Sequence, residues 1–483
     1  MALTDLDKFF LEVDNLSERF IGRLQEAVAI PSVSAEKTEE KRAEVKRMAQ
    51  FLQAQLEKLN ASVTLHDLGS EDVVANTIPL PPVVTAQYPK NHDSHKKTIL
   101  VYGHYDVQPA VGWSHGGDAF TLTPSEDKTK YYGRGSTDDK GPVCGWLNAI
   151  EAYQKAGVEL PVNLILCFEG MEEQDSDGFS GFLASSGKEL FKDVDAACIA
   201  DNYWLTDKTP CLTYGLRGTE YFNITITGAG KQLHSGMYGG NVHEPMTDLV
   251  ILLSKLVDSK GSILIPGIPD LVEKETASEE EIYNKIHYKM EDFYTDIQSK
   301  TAAIYDKPSD TLKHRMRFPS LTIHGIYGAD ASRDMTTSVP PTVMGKFSIR
   351  TVPNLSHDDV KRLVTEYVND EFRKLQSRTT CQVENVGSAP WWRTNSSDPN
   401  FAAAIKATVQ VYKQKPDLTR EGGSIGITVN LQDALAGKSI LLLPMGTSTD
   451  GAHSGEEKIN KENYIQGTKL FGAYFHHFAT QSA

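Results

Sequence analysis

Four short apolar runs constrain this chain more than any other feature: Thr98-Ile-Leu-Val-Tyr102, Val162–Phe168, Ala196–Ala200 and Ser439–Leu443. Each is short enough for a strand and too short for a buried helix, and none alternates with polar residues, which predicts strands buried on both faces. Between the first two lies Gly141–Tyr153, a helix candidate. Further upstream, Val45, Met48, Ala49, Leu52, Leu56 and Leu59 recur at helical spacing among charged residues. Strands alternating with helices call for an α/β fold, a mainly parallel sheet with helices on both faces.

The middle of the chain reads differently. From about Tyr214 to Val383, alternating strands (Tyr221–Thr227, Val343–Ile349) accompany helices at Met246–Val257 and Asp358–Leu375. This pattern predicts an inserted α+β domain at 214–383, a lid and dimerisation unit, within a catalytic domain made of 1–213 and 384–483. Residues 258–316 are more polar and read as a lid or interface elaboration. A length of 483 residues suits roughly two large domains or three ordinary ones.

Composition narrows the function. Forty-nine basic against sixty-four acidic residues give a net charge of −15, which argues against nucleic-acid binding. No run of apolar residues is long enough to span a bilayer. The start, Met-Ala-Leu-Thr-Asp-Leu-Asp, carries acids where a secretory signal has a basic region, so a cytoplasmic location is expected. Cys144, Cys167, Cys198, Cys211 and Cys381 form no CxxC pair, and the reading is of free, mostly buried thiols.

The four strands end alike. Gly103-His104-Tyr105-Asp106 follows the first, Glu169-Gly-Met-Glu172-Glu173 the second and Asp201 the third; the fourth leads to Asp450-Gly-Ala-His453. Asp138-Asp139 precedes the helix after the first strand. In open parallel sheets, ligands bind at the carboxyl ends of the strands. Two imidazoles and three carboxylates suit Zn²⁺ or Mn²⁺, and the count fits two ions sharing one carboxylate. Taken singly, each residue has a plainer reading. A His after a strand is usually a loop residue, Asp138-Asp139 can cap a helix, and the run Glu172–Asp177 can be a solvated loop. It is their coincidence at matching strand ends that favours a site.

These motifs, with Gly133–Gly141, Asp201-Asn-Tyr-Trp204, Leu233-His-Ser-Gly236, Gly345–Arg350 and Thr419–Ser424, resemble the dinuclear metallopeptidase family of aminoacylases, carboxypeptidase G and carnosinases. Within it they look most like the non-specific dipeptidases. The resemblance implies that His104, Asp138 and Asp201 hold one ion and Asp138, Glu173 and His453 the other. It also implies that Asp106 orients His104 and that Glu172 is the general base. Glu172 and Glu173 are read as lying on an extended segment, their side chains on opposite sides. His234 is implied to reach a partner subunit's site, so a homodimer is expected. Arg350, Ser424 and Thr337 are implied to bind the substrate, the arginine gripping its free carboxylate. Thr336 competes for the threonine role, because Met335–Pro340 departs from the family pattern. The implied substrate is a dipeptide, with Cys-Gly the specific candidate.

Two rival readings remain. Gly422-Gly-Ser424-Ile-Gly426 matches a serine-hydrolase nucleophile elbow with His453 downstream. That elbow needs a buried strand before the serine, and Pro416–Glu421 reads as too polar for one. A binding protein on a retired enzyme scaffold would lack a ligand or the base, and none is missing. Gly437-Lys-Ser439 lacks the earlier glycine of a phosphate-binding loop.

Overall fold

The computed structural model describes residues 3–73 and 76–481. Its largest sheet has nine strands. Their order is Ser62–His66, Val83–Tyr88, Asn163–Glu169, Thr98–His104, Ala196–Ile199, Ile440–Leu442, Cys211–Leu216 and Trp392–Arg393, with Asp417–Glu421 also paired to Cys211–Leu216. The four predicted strands lie together at the centre, mutually parallel, and antiparallel pairings flank them.

Alternate residues of these strands feed two separate cores, which is why the runs are continuously apolar. Ile99, Val101, Leu164, Leu166, Cys198 and Leu441 pack with Phe9, Leu24, Leu147 and Phe471 on one face. Leu100, Tyr102, Ile165, Cys167, Ile199 and Leu442 pack with Phe179, Leu183 and Leu431 on the other. The helices predicted around Val45–Leu59 and Gly141–Tyr153 occupy Glu39–Lys58 and Lys140–Lys155. All five cysteines are free, and only Cys381 is not fully buried.

A second sheet of four antiparallel strands runs in the order Ser320–Tyr327, Thr342–Thr351, Gly218–Thr227 and Thr380–Ala389. Helices Pro245–Leu253 and His357–Lys374 cover one of its faces over Phe222, Ile224, Phe347 and Ile349. Tyr221, Ile323, Tyr327 and Val386 are left exposed, Tyr327 at 71%.

Of the polar residues 258–316, Ile263, Ile265 and Ile268 join the second sheet's core, and 273–316 folds back onto the first sheet. Glu279 pairs with Arg420 at 2.6 Å and Arg317 at 2.8 Å, His287 with Asp417 at 2.9 Å, and Glu273 with Arg393 at 2.6 Å. These contacts correct one expectation. Asp417–Glu421, read as too polar for a strand, is one, with Asp417, Thr419 and Arg420 buried. Its polar side chains are tolerated because each has a partner, Thr419 bonding the hydroxyl of Thr213 at 2.9 Å. Among the described residues, no helix is long and apolar enough to cross a membrane.

Candidate dinuclear metal centre

Strand register brings the candidate ligands level. His104 pairs with Glu169 across parallel strands, and Tyr102 pairs with Ile199, so Asp201, two residues beyond Ile199, lies at the level of His104. Two triads result: His104, Asp138 and Asp201, and Asp138, Glu173 and His453, each with its donor atoms within 4.8 Å of one another. Asp138 serves both, one oxygen to each. Its Oδ1 lies 3.0 Å from His104 Nε2 and its Oδ2 lies 3.0 Å from His453 Nε2. Asp201 Oδ1 is 3.8 Å from His104 Nε2, and Glu173 Oε2 is 3.1 Å from His453 Nε2.

Asp106 is fully buried and does two things. Its Oδ1 lies 3.3 Å from His104 Nδ1, and its carboxylate accepts the backbone N–H groups of Glu172 and Glu173 at 3.2 and 3.1 Å. The extended segment expected here is instead a single 3-10 turn, Glu172–Gln174. Successive side chains on such a turn diverge by about 120°, which still separates the two glutamates. Gln108 Nε2 donates to Glu173 Oε2 at 2.9 Å, a contact the sequence reading did not foresee.

The electrostatics show what the cluster needs. Burial, with the charges of Asp138 and Glu173, pushes Asp201 up to about 6 against the pull of His104. Burial, then the charges of Asp201, Glu173 and Asp106, push Glu172 well above the usual carboxylate range although His104 opposes them. Hydrogen bonds to Asp138 and Glu173 raise His453 to about 11. The protein's nearby cations are committed elsewhere: Arg134 to Glu457, Lys458 to Asp450, and Lys140 to the carbonyls of Ala27 and Ile30. Carboxylates crowded with no lysine or arginine among them, beside two imidazoles and no thiolate, fit two divalent ions.

A cavity of about 960 Å³ opens onto this cluster. Asp138, Glu172, Asp201 and His453 line it, as do Ser424 and, from the polar segment, Phe293, Ile297 and Arg315. Ser424 Oγ donates to the Arg217 carbonyl at 2.6 Å and accepts from Arg350 Nη1 at 3.0 Å. Burial and the charge of Arg350 lower Arg217 to about 10. None of these hydrogen bonds reaches an imidazole, and His453 faces the carboxylates, so nothing supports the serine-hydrolase reading although a strand does precede the serine.

His234 and Thr337 lie together but not in this cavity. Strand Leu233–His234 pairs with Ser338–Val339, just after Thr337; Ser235 N donates to the Thr337 carbonyl at 2.7 Å, and the side chains of His234 and Thr337 are exposed. Thr336 Oγ1 bonds Ser338 Oγ at 3.0 Å.

A parallel α/β sheet whose strand ends carry two triads sharing an aspartate defines the class: a hydrolase fold built around a candidate pair of metal ions. The model of peptidase family M20/M25/M40 matches residues 100–477. The Cys-Gly metallodipeptidase of Schizosaccharomyces pombe is 46% identical over 480 residues, 99% of each chain. The Beta-Ala-His dipeptidase of Homo sapiens is 39% identical, covering 97% of this chain and 92% of that protein. The solved structure of the dipeptidase Dug1p from Saccharomyces cerevisiae superposes with a TM-score of 0.88 at 42% identity, covering 99% of both chains. The chain belongs to peptidase family M20/M25/M40 and is a metallopeptidase.

Proposed function

We propose that the protein is a dinuclear metallodipeptidase acting on dipeptides with a free C-terminus, Cys-Gly among them. The observation that carries this reading is the division of Asp138, one carboxylate oxygen toward each triad. The Cys-Gly specificity rests on likeness to the fungal enzymes of that name. In this reading His104, Asp138 and Asp201 hold one ion and Asp138, Glu173 and His453 the other. When bound, such ions lower the pKa of water and polarise a carbonyl. Asp106 keeps His104 oriented, and Glu172 takes the proton from the attacking water and hands it to the leaving amine. Arg350 and Ser424 receive the substrate carboxylate, Arg350 bringing the charge and Ser424 standing at the cavity wall; Thr337, exposed beside His234, reaches the substrate of a second copy as that histidine does.

His234 is exposed in its own chain, and we assign it to the site of a second copy, where it stabilises the oxyanion. The residues 214–383 then act as lid and dimerisation unit on the catalytic residues 1–213 and 384–483, with strand Thr380–Ala389 carrying the return. The exposed Tyr221, Tyr327 and Val386 on the open sheet face support pairing of two copies. Zn²⁺ and Mn²⁺ both suit the donor set. Five unpaired cysteines favour a reducing compartment, the cytoplasm.

The test is hydrolysis of Cys-Gly by purified protein stripped with a chelator and reloaded with Zn²⁺ or Mn²⁺ separately. Activity should vanish on stripping and return with the physiological ion. Activity that survives verified removal of metal refutes the proposal.

A further inference from the structure

The loop Gly133–Asp138 delivers the shared aspartate, yet three of its backbone N–H groups find no partner in the sheet. All three turn to one side chain. Glu457 is 0% exposed. Its Oε2 accepts Gly135 N at 3.0 Å and Arg134 Nη1 at 2.7 Å, and its Oε1 accepts Thr137 N at 3.1 Å and Asp138 N at 3.2 Å. The Glu457 carbonyl accepts Gly133 N at 3.0 Å.

Glu457 follows His453 by four residues, so it belongs to the loop that carries the other triad's histidine. Arg134 completes the tie from the opposite side. It is 1% exposed, and its Nη2 donates to the Ser454 carbonyl at 2.9 Å and the Pro109 carbonyl at 3.3 Å. All the charge of Glu457 is spent inside the protein, so it is no ligand itself. We infer that Glu457 is a positioning residue: with Arg134 it clamps the Asp138 loop to the His453 loop and so sets the separation of the shared aspartate from the histidine. The inference rests on the metal centre proposed above.

The chemistry makes the residue hard to replace. Four donors converge on two anionic oxygens. Glutamine offers one oxygen and turns an NH₂ toward donors, so one of the two pairs must be released. Asp138 then loses its fixed distance from His453, and the ions lose a preformed site.

The experiment titrates metal-free protein with Co²⁺ alone and follows visible absorption, which reads affinity and ligand geometry together, beside the melting temperature of each metal-free protein. For Glu457→Gln we expect Co²⁺ affinity lower by about 10–100-fold and an altered spectrum, the scale on which lost outer contacts act. Arg134→Lys keeps a cation against Glu457 but loses the guanidinium's bonds to Pro109 and Ser454. It should shift affinity in the same direction by a smaller factor. Folded Glu457→Gln protein that binds Co²⁺ with wild-type affinity and spectrum overturns the inference. If that variant does not fold, wild-type affinity in Arg134→Lys overturns it instead. Wild-type protein that takes up no Co²⁺ overturns the metal reading, and this inference with it.

Discussion

Replacing Arg350 with methionine tests how the cleft chooses its substrates. Methionine keeps the length and apolar stem and removes the charge and the donors. The arginine reaches Ser424 Oγ at 3.0 Å, and Ser424 stands in the cavity with Asp138 and His453. Arg217 and Arg315 lie close enough that Arg350 and Arg315 both depress Arg217, so positive charge gathers at this end. A substrate carboxylate relieves that repulsion, and a C-terminal amide does not. Each hydrogen bond to a charged group contributes about 1.5–3 kcal/mol, so a bidentate grip contributes at least about 3 kcal/mol. At about 1.4 kcal/mol per tenfold, kcat/KM for Cys-Gly should fall about 100-fold in Arg350→Met. The same comparison on Cys-Gly amide should fall much less, because that substrate never made the pair. The assay is therefore the ratio of acid to amide kcat/KM in both proteins, a double-mutant cycle with one mutation in the ligand. An equal loss on both substrates would show that Arg350 supports the fold of the cleft and does not read the carboxylate.

Glu172→Gln should lower kcat by about 10²–10⁴-fold, the usual worth of a general base, while metal content measured by atomic absorption stays at the wild-type level. Mixing inactive His234→Ala with inactive Glu172→Gln chains should restore activity, to about a quarter of wild type if dimers reassort at random, since one site of each mixed dimer is then whole. No recovery in verified mixed dimers refutes the assignment of His234 across subunits. Gly141→Ala places a Cβ 2.1 Å from the Ser136 carbonyl, so the helix start and the Asp138 loop cannot both hold; reduced metal content and a lower melting temperature are expected.

How far the sequence could be read depended on the range of the interaction. Of the candidate ligands, His104, Glu173 and Asp201 were legible because each lies at or just beyond the end of an apolar run, and parallel register converts that linear position into spatial coincidence: His104 opposite Glu169, Asp201 level with both. The sheet was legible for the same reason, since runs that feed cores on both faces carry polar residues only at or beside their first positions, as at Thr98, Asn163 and Ser439. Asp417–Glu421 defeated this logic. Its burial rests on Arg420 meeting Glu279 and Asp417 meeting His287, residues 141 and 130 positions away, and no local pattern announces such partners. The docking of 273–316 against the catalytic sheet was hidden by the same pairs, which look like solvated charge until both members are placed. Glu457 is the extreme case, an acid beside Glu456 in a polar loop whose four donors come from residues more than 300 positions earlier.

Those hidden charges explain how the candidate centre can stay a concentrated negative site inside the folded chain. Glu457 and Asp450 flank the shared aspartate, yet each is neutralised by its own buried cation, Arg134 and Lys458. Thr137 is held between them, its N–H on Glu457 and its hydroxyl on Asp450 at 2.9 Å. The structural carboxylates therefore add rigidity without adding uncompensated charge, and the excess is confined to the side chains facing the cavity. At the other end of that cavity Ser424 is backed by Arg350, with Arg217 and Arg315 near it. With two divalent ions offsetting the carboxylates of the metal centre, the arginines behind Ser424 are left to draw the substrate carboxylate, which places a short peptide between the two. A chain whose carboxylate lies several residues beyond the scissile bond cannot satisfy both ends at once, and on this argument charge placement, more than pocket shape, restricts the enzyme to dipeptides.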